Sequence, residues 1–468
     1  MEIKYLLQLI YLFIVIRLGS ITSEYLPDWN SLDSRPLPAW YDNAKVGIFI
    51  HWGVYSVPNY GDEWFWYNWK TEEIDGYEEY MKKNYAPNFT YQDFASLMTG
   101  ELFNASEWAS LFKSAGAKYV VLTSKHHDGF SLWPSTYSNS WNSVDMGPHI
   151  DIVGELSNAL RSEINITFGI YYSLYEWYNR MYRKDKAQRW QTRDYIENKV
   201  YPELFELIDK YGPEIIWSDG DWEAAESYWK PKEFLAWLYN ESKVNTTVVV
   251  NDRWGLLSWC RHGDFHNCMD RYNPGVLKKH KWENAFTIDR KAWDWRETAT
   301  LDEYLTSEEL IKEIVTTVSC NGNALVGVGP TRFGNIPSIF QERLRDMGHW
   351  LAINGEAIYD SNPWIYQNDT FTPNIWFTSK SLSGKIVVYA TVLSFPSTNY
   401  TVDIFAINDY VTEQTKIELL GYSGQIMWFM RDSAIRIKFP DKAILDELGL
   451  RFAWTFKITG LKSDSILK

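Results

Sequence analysis

The chain has 468 residues, 45% hydrophobic and 23% charged, which allows two or three domains with a sizeable core and excludes intrinsic disorder as its main state. With 46 Lys and Arg against 60 Asp and Glu, the formal charge of −14 argues against a polyanion such as nucleic acid, whose binding depends on cations neutralising phosphates. The 25 Trp, 31 Tyr and 23 Phe make up 17% of the chain, and their flat apolar faces suit sugars, which carry C–H groups on one side and hydroxyls at the rim.

In chain order, an apolar run from Tyr5 to Ile16 stands between Lys4 and Arg17, with small residues at Gly19, Ser20 and Ser23. It is too short to span a bilayer and reads as a secretory signal peptide over 1–23, with no later stretch apolar enough to be a transmembrane helix. Asn-x-Ser/Thr sequons at Asn88, Asn104, Asn165, Asn240, Asn245, Asn368 and Asn399 support that route. Cys260, Cys268 and Cys320 contain no Cys-x-x-Cys pair; a single bridge from Cys260 to Cys268 is compatible with them, and a zinc site is not expected.

From Trp40 to about Gly355, short β-rich runs alternate with segments of helical period, as in βα units around a parallel sheet. The runs are Val46 to Ile50, Tyr119 to Leu122, Ile166 to Tyr172, Glu214 to Trp217, Thr247 to Val250 and Ala324 to Val328, with a seventh near Phe286 to Ile288 and no visible eighth. Ser106 and Ser307 are the expected helix caps, each ahead of an apolar stripe. Most runs end in a polar and aromatic burst, where chemistry gathers in a (β/α)8 barrel. The expected fold is therefore such a TIM barrel over 24–361. After about Ser361, alternating runs separated by turn residues predict an antiparallel β-sandwich over 362–468.

Asp219 emerges at the end of the buried run Ile215-Ile216-Trp217, sharing a strand face with Trp217. A carboxylate beside an aromatic wall can attack a glycosidic carbon, and a retaining glycosidase needs a second acid roughly 5 Å away. Asp270 and Glu283 are the candidates, and spacing alone does not choose between them. His126-His127 lack the spacing of a zinc site and read as hydrogen-bonding groups for sugar hydroxyls.

Six motifs occur together in order: Trp40-Tyr41-Asp42, Phe49-Ile50-His51-Trp52-Gly53, Glu63-Trp64-Phe65-Trp66, Lys125-His126-His127-Asp128-Gly129-Phe130, Trp217-Ser218-Asp219-Gly220 and Val250-Asn251-Asp252-Arg253-Trp254-Gly255. The combination resembles family-29 glycoside hydrolases, the α-L-fucosidases, especially the animal tissue (lysosomal) type. The resemblance implies Asp219 as nucleophile and either Asp270 or Glu283 as acid/base, with the animal-type pattern favouring Asp270. It implies that His51, Glu63, His126, His127, Tyr171 and Arg253 hold fucose, with Trp64 and Trp217 packing near the sugar. It also implies no metal or organic cofactor, fucosylated glycans as partners, a lysosomal or extracellular location, and the homo-oligomers common among such enzymes. Two departures stand out: Gly327 replaces the second Asn of the family's Gly-Gly-Asn-x-Leu-Leu-Asn-x-Gly-Pro, and Ala292-Trp293-Asp294-Trp295 replaces Ser-Trp-Gly-Tyr. They motivate an alternative, a fucose-binding protein of lectin type without turnover. A metal-dependent hydrolase using His126 and His127 is a third reading, testable with chelator.

Overall fold

The computed structural model describes residues 24–164, 166–397 and 399–462; the expected signal peptide and the sequon residue Asn165 lie outside the described residues. Seven parallel strands form one curled sheet: β1 (Val46–Ile50), β2 (Tyr119–Lys125), β3 (Thr167–Ser173), β4 (Ile215–Asp219), β5 (Val249–Val250), β6 (Trp282–Thr287) and β7 (Gly322–Val328). Their order is β5-β4-β3-β2-β1-β7-β6, so the sheet's edges are β5 and β6. Between these edges runs the segment 264–266. Asp264 N–H donates to the Val250 carbonyl at 3.0 Å, and His266 pairs in parallel with Trp282. Three residues thus stand where an eighth strand would close the barrel, too short to leave a periodic signal.

Strand alternation divides the apolar side chains between two cores. Phe49, Tyr119, Val121, Tyr171, Ile215 and Trp217 point inward and fill the barrel. Ile48, Ile50, Val120 and Leu122 point outward into the core that the surrounding helices close. Burial on both faces explains why the strands read as continuous apolar runs rather than alternating ones.

Two helix starts differ from expectation. The helix Ala105–Ser114 is capped by Asn104, whose side chain accepts from Glu107 N–H, and not by Ser106. The helix Ser307–Ser319 is capped by Thr306 in a reciprocal box with Glu309, one residue before the expected Ser307. In both cases two candidate caps are close in sequence, and which one adopts the extended backbone is set by how the chain enters the helix.

The C-terminal part is antiparallel, as expected of a β-sandwich. β8 (Asn362–Asn368), β9 (Ile375–Leu382), β10 (Lys385–Val392), β12 (Lys416–Leu419) and β15 (Trp454–Thr459) form one sheet in the order β12-β15-β10-β9-β8. β11 (Thr401–Ile404), β13 (Met427–Arg431) and β14 (Ala434–Lys438) form another in the order β11-β14-β13. Trp364, Phe377, Val388, Ile404, Ile437 and Phe456 share their core. This layer packs on the barrel through the helix Ser307–Ser319, which touches β8 and β9, and through Trp350 Nε1–H, which donates to the Ala453 carbonyl at 2.9 Å.

Replacing Thr306 with Ala should cost about 1 kcal/mol by leaving the Glu309 N–H without its cap. A lower urea midpoint at unchanged slope is the expected result; an unchanged midpoint would mean that packing alone sets this helix end.

Candidate active site

The site follows from where the parallel strands stop. β1 delivers Phe49 and then His51 on the same inward face; β2 runs into His126 and His127; β3 carries Tyr171; β4 carries Trp217 and Asp219. Arg253 follows β5, and Asp270 sits on the loop between the closing segment and β6. With Glu63, Trp64, Trp222 and Trp293 these side chains line one cavity at the C-terminal mouth of the barrel, the end at which such folds do chemistry.

Arg253 organises the cavity. Its Nη1 donates to Asp219 Oδ1 at 2.9 Å, and its Nη2 donates to Asp270 Oδ1 at 2.5 Å and to Asn267 Oδ1 at 2.5 Å. Two carboxylates are thereby held one guanidinium apart. The guanidinium lies over the Trp217 ring at 4.7 Å, a cation–π contact that fixes its plane. Asp219 is also anchored on its other oxygen, which accepts from Tyr171 OH at 2.7 Å. The Asp219 side chain is 10% exposed, and that of Asp270 is 45% exposed at the mouth.

Burial raises the Asp219 carboxyl, and the charge of Arg253 only partly offsets this. At Asp270 what burial there is works in the same direction, but Arg253 outweighs it and holds the carboxyl below its usual range. Burial pushes His51 down to about 3, and drives His126 and His127 well below the ordinary imidazole value, so all three rings are neutral. The tautomer of His127 follows from its neighbours. Ser173 Oγ gives its proton to the Tyr175 carbonyl at 2.7 Å, so at 2.7 Å it must accept from His127 Nδ1–H. His127 Nε2 is then a bare acceptor, 3.7 Å from Asp219 Oδ2, and the two can share a ligand hydroxyl proton. His51 Nδ1 and His126 Nδ1 are buried without a partner among the described residues.

Glu63 is the most displaced acid of the wall. Burial first, then the neighbouring Asp62, raise it to about 8, against one accepted bond from Trp293 N–H at 3.0 Å. It is therefore a hydrogen-bond donor near neutral pH.

Every site residue expected from the sequence lines this cavity except Glu283. Phe286 to Ile288 was the expected strand, which would leave Glu283 on the preceding loop; the strand instead begins at Trp282. Glu283 consequently points into the barrel, with no exposure. There it accepts from Tyr41 OH at 2.8 Å and Tyr119 OH at 2.7 Å on one oxygen, and from Trp217 Nε1–H at 2.9 Å on the other. It supports Trp217 from beneath and does not reach the cavity.

Phe49, Trp222 and Trp293 line the cavity without having been singled out. Phe49 was findable, since it lies two residues before His51 on one strand face. Trp222 and Trp293 come from loops with no period to read. Neither departure from the family pattern lines the cavity: Gly327 lies where a Cβ would meet Thr287 Cγ2 at 2.7 Å, and Asp294 is buried within electrostatic reach of the wall residue Glu63. Among the described residues, three donors of metal-ligating type converge only at Cys260, His266 and Cys268, and a disulfide joins the two sulfurs. His126 and His127 belong to no such group.

A parallel barrel with two carboxylates bridged by an arginine in an aromatic mouth fits a glycoside hydrolase. Residues 14–356 match the family described as alpha-L-fucosidase, and residues 367–459 match the alpha-L-fucosidase C-terminal domain. An alpha-L-fucosidase of Branchiostoma floridae is 50% identical over 94% of this chain and 96% of its own length. The human plasma alpha-L-fucosidase is 48% identical over 94% and 93%, and the tissue alpha-L-fucosidase of Bos taurus 46% over 98% and 97%. The crystal structure of Thermotoga maritima alpha-fucosidase in complex with fucose superposes with a TM-score of 0.78 at 33% identity, covering 93% of this chain and 100% of that one. The chain belongs to the α-L-fucosidase family.

Two outcomes are expected. Glu283→Ala leaves three buried donors unpaired and should destabilise the fold by about 3 kcal/mol or more, read as a lowered urea midpoint; a normal midpoint with lost turnover would instead make Glu283 a catalytic group. Between about pH 4.5 and about 8, the unfolded chain has released the Glu63 proton while the folded chain keeps it, so folding stability falls across that window and levels above it. Glu63→Gln should flatten the decline, measured as urea midpoints at pH values spanning the window.

Proposed function

We propose that the protein is a retaining, exo-acting α-L-fucosidase that removes terminal α-L-fucose from glycoproteins, glycolipids and oligosaccharides, with Asp219 as nucleophile and Asp270 as acid/base. The observation that carries this reading is the bridging of the two carboxylates by Arg253 inside a pocket of neutral histidines and aromatic rings.

In the first step the Asp219 carboxylate, held by Tyr171 and Arg253, forms a bond to the anomeric carbon while Asp270 gives its proton to the departing glycosidic oxygen. The product is a fucosyl ester of Asp219. In the second step Asp270, now ionised, takes a proton from water; the resulting hydroxide equivalent attacks the anomeric carbon, and Asp219 leaves as carboxylate. Two displacements on the same carbon restore the original configuration. In the free protein Arg253 favours the ionised form of Asp270. A bound sugar displaces the water around this half-exposed acid, which raises it toward the protonated form that the first step needs. Neutral His51 and His126 and protonated Glu63 hold the hydroxyls, and the rings of Trp64, Trp222 and Trp293 take the apolar face.

The fucose-binding alternative without turnover has little support, because its motivating departures lie outside the pocket lining. Passage through the secretory route, to lysosome or extracellular space, is supported by the sequons, by the Cys260–Cys268 disulfide and by relatives named for plasma and tissue. Among the described residues no helix is long and apolar enough to cross a membrane.

Azide separates the two carboxylates. Asp219→Gly should fold normally, lose about a thousandfold or more of turnover on an aryl α-L-fucoside, and with azide yield the inverted β-fucosyl azide. Asp270→Ala should fall by about a hundredfold or more on substrates with poor leaving groups, and with azide yield the retained α-azide. Product anomers exchanged between the two variants, or undiminished turnover in Asp219→Gly, would overturn the assignment.

A further inference from the structure

A second cleft, about 650 Å³ in volume, opens beside the fucose pocket, and the mechanism does not use it. One wall is aromatic: Trp66 stacks on Trp177 with centroids 5.8 Å apart and planes at 20°, and Tyr67 lies 5.6 Å from Trp177. This wall is continuous with the fucose pocket. Trp177 packs 5.4 Å from Trp64, and Tyr175 packs 5.3 Å from Trp222, so that two of the four tryptophans lining the pocket touch a ring lining the cleft.

The cleft lining also carries cations, one of them on the helix of Trp66 and Tyr67. Lys70 stands in the last turn of the helix Phe65–Lys70, while Arg183 and Lys186 lie three residues apart on one face of the helix Arg180–Ala187. The cleft's acid is Glu223, and it is already occupied: Lys186 Nζ donates to it at 2.7 Å, and Tyr182 OH donates to it as well. Among the described residues Lys70 and Arg183 join no ion pair. Arg183, and Lys70 with its Nζ 3.6 Å over the Trp69 ring, are cations outside any ion pair near stacked rings, unexpected on a chain of net charge −14. A neutral sugar needs the rings but not the charges, and a polyanion needs more than two cations. An arginine fork matches a planar carboxylate in a bidentate manner.

We propose that this cleft binds a carboxylate-bearing sugar, of the sialic-acid class, on the same oligosaccharide from which fucose is removed, with Lys70 and Arg183 as the anion-binding groups. The proposal rests on the fucosidase reading and adds the chemistry of the rest of the substrate. Lys70 and Arg183 set specificity here and take no part in bond cleavage.

The test compares kcat/KM on three fucosylated oligosaccharides that differ only in a neighbouring arm: neutral, sialylated, or sulfated at the equivalent position. An aryl α-L-fucoside is the reference. The natural chain should prefer the sialylated compound over the neutral one by about fivefold at low salt, and lose that preference at about 0.3 M salt as the exposed charges are screened. The Lys70→Gln, Arg183→Gln double variant should lose the preference while keeping its rate on the aryl fucoside and the neutral compound. Charge reversal, Arg183→Glu, should turn the preference into discrimination against the sialylated arm. Equal rates on sialylated and neutral compounds, or a preference that survives the double variant, would overturn the proposal. A sulfated arm favoured as strongly as the sialylated one would overturn the carboxylate assignment. Absence of aryl fucoside turnover by the natural chain would instead sink the fucosidase reading, so the two failures are distinguishable.

Discussion

The interaction on which the site depends is the grip of one buried arginine on two acids. Two carboxylates this close cannot both ionise in a partly dry cavity without a compensating positive charge. A guanidinium provides it without risk of deprotonation, and its fork points one nitrogen at each acid. Arg253 also rests on the Trp217 ring and donates to Asn267, so its direction is over-determined. The loop that brings Asp270 is held from below by a second buried acid. Asp252 accepts from the backbone N–H groups of Cys260, Asn267 and Cys268 at 2.7, 3.0 and 3.1 Å, and the Cys260–Cys268 disulfide closes the same loop.

The histidine wall is supported in a comparable way. Lys125 ends β2 immediately before His126 and is buried. Its Nζ donates to Glu176 at 2.8 Å and to Tyr172 OH at 3.0 Å, and lies 3.5 Å from Glu203, which pairs in turn with Lys199 at 3.0 Å. Buried ion pairs contribute little net stability because both partners must be desolvated, yet removing one partner is costly. Such a network therefore fixes geometry more than it stabilises the fold. It ties the end of β2, the end of β3 and the helix Tyr201–Tyr211 into one unit, leaving His126 and His127 little freedom. Neutral rings are what a site for uncharged hydroxyls requires.

Much of this was legible in the amino-acid order because barrel strands are buried on both faces and leave unbroken apolar runs, while the residues just beyond each run are released from packing and free to carry chemistry. That is why His51, His126, Asp219 and Arg253 could be located, and why Trp217 and Asp219 could be put on one face. The errors also have physical causes. Trp282 to Thr287 carries Glu283 and Asn284 in its middle, so β6 does not look like a buried strand; three ring donors satisfy Glu283, and that satisfaction is invisible from spacing. The closing segment 264–266 is shorter than any period. Trp222 and Trp293 reach the cavity from irregular loops, whose paths depend on the rest of the molecule.

The amino-acid order by itself determined the sequence of layers and the barrel end that would hold the chemistry, because these follow from hydrophobic runs and from what stands at their ends. Only the tertiary structure decided between Asp270 and Glu283 as the acid that reaches the cavity. Both are carboxylates at similar distance along the chain from Asp219. One lies on a loop that the Asp252 contacts and the disulfide bend over the mouth, and the other within a strand that turns it beneath Trp217. That difference is a matter of which way a side chain points in space, which no local pattern encodes.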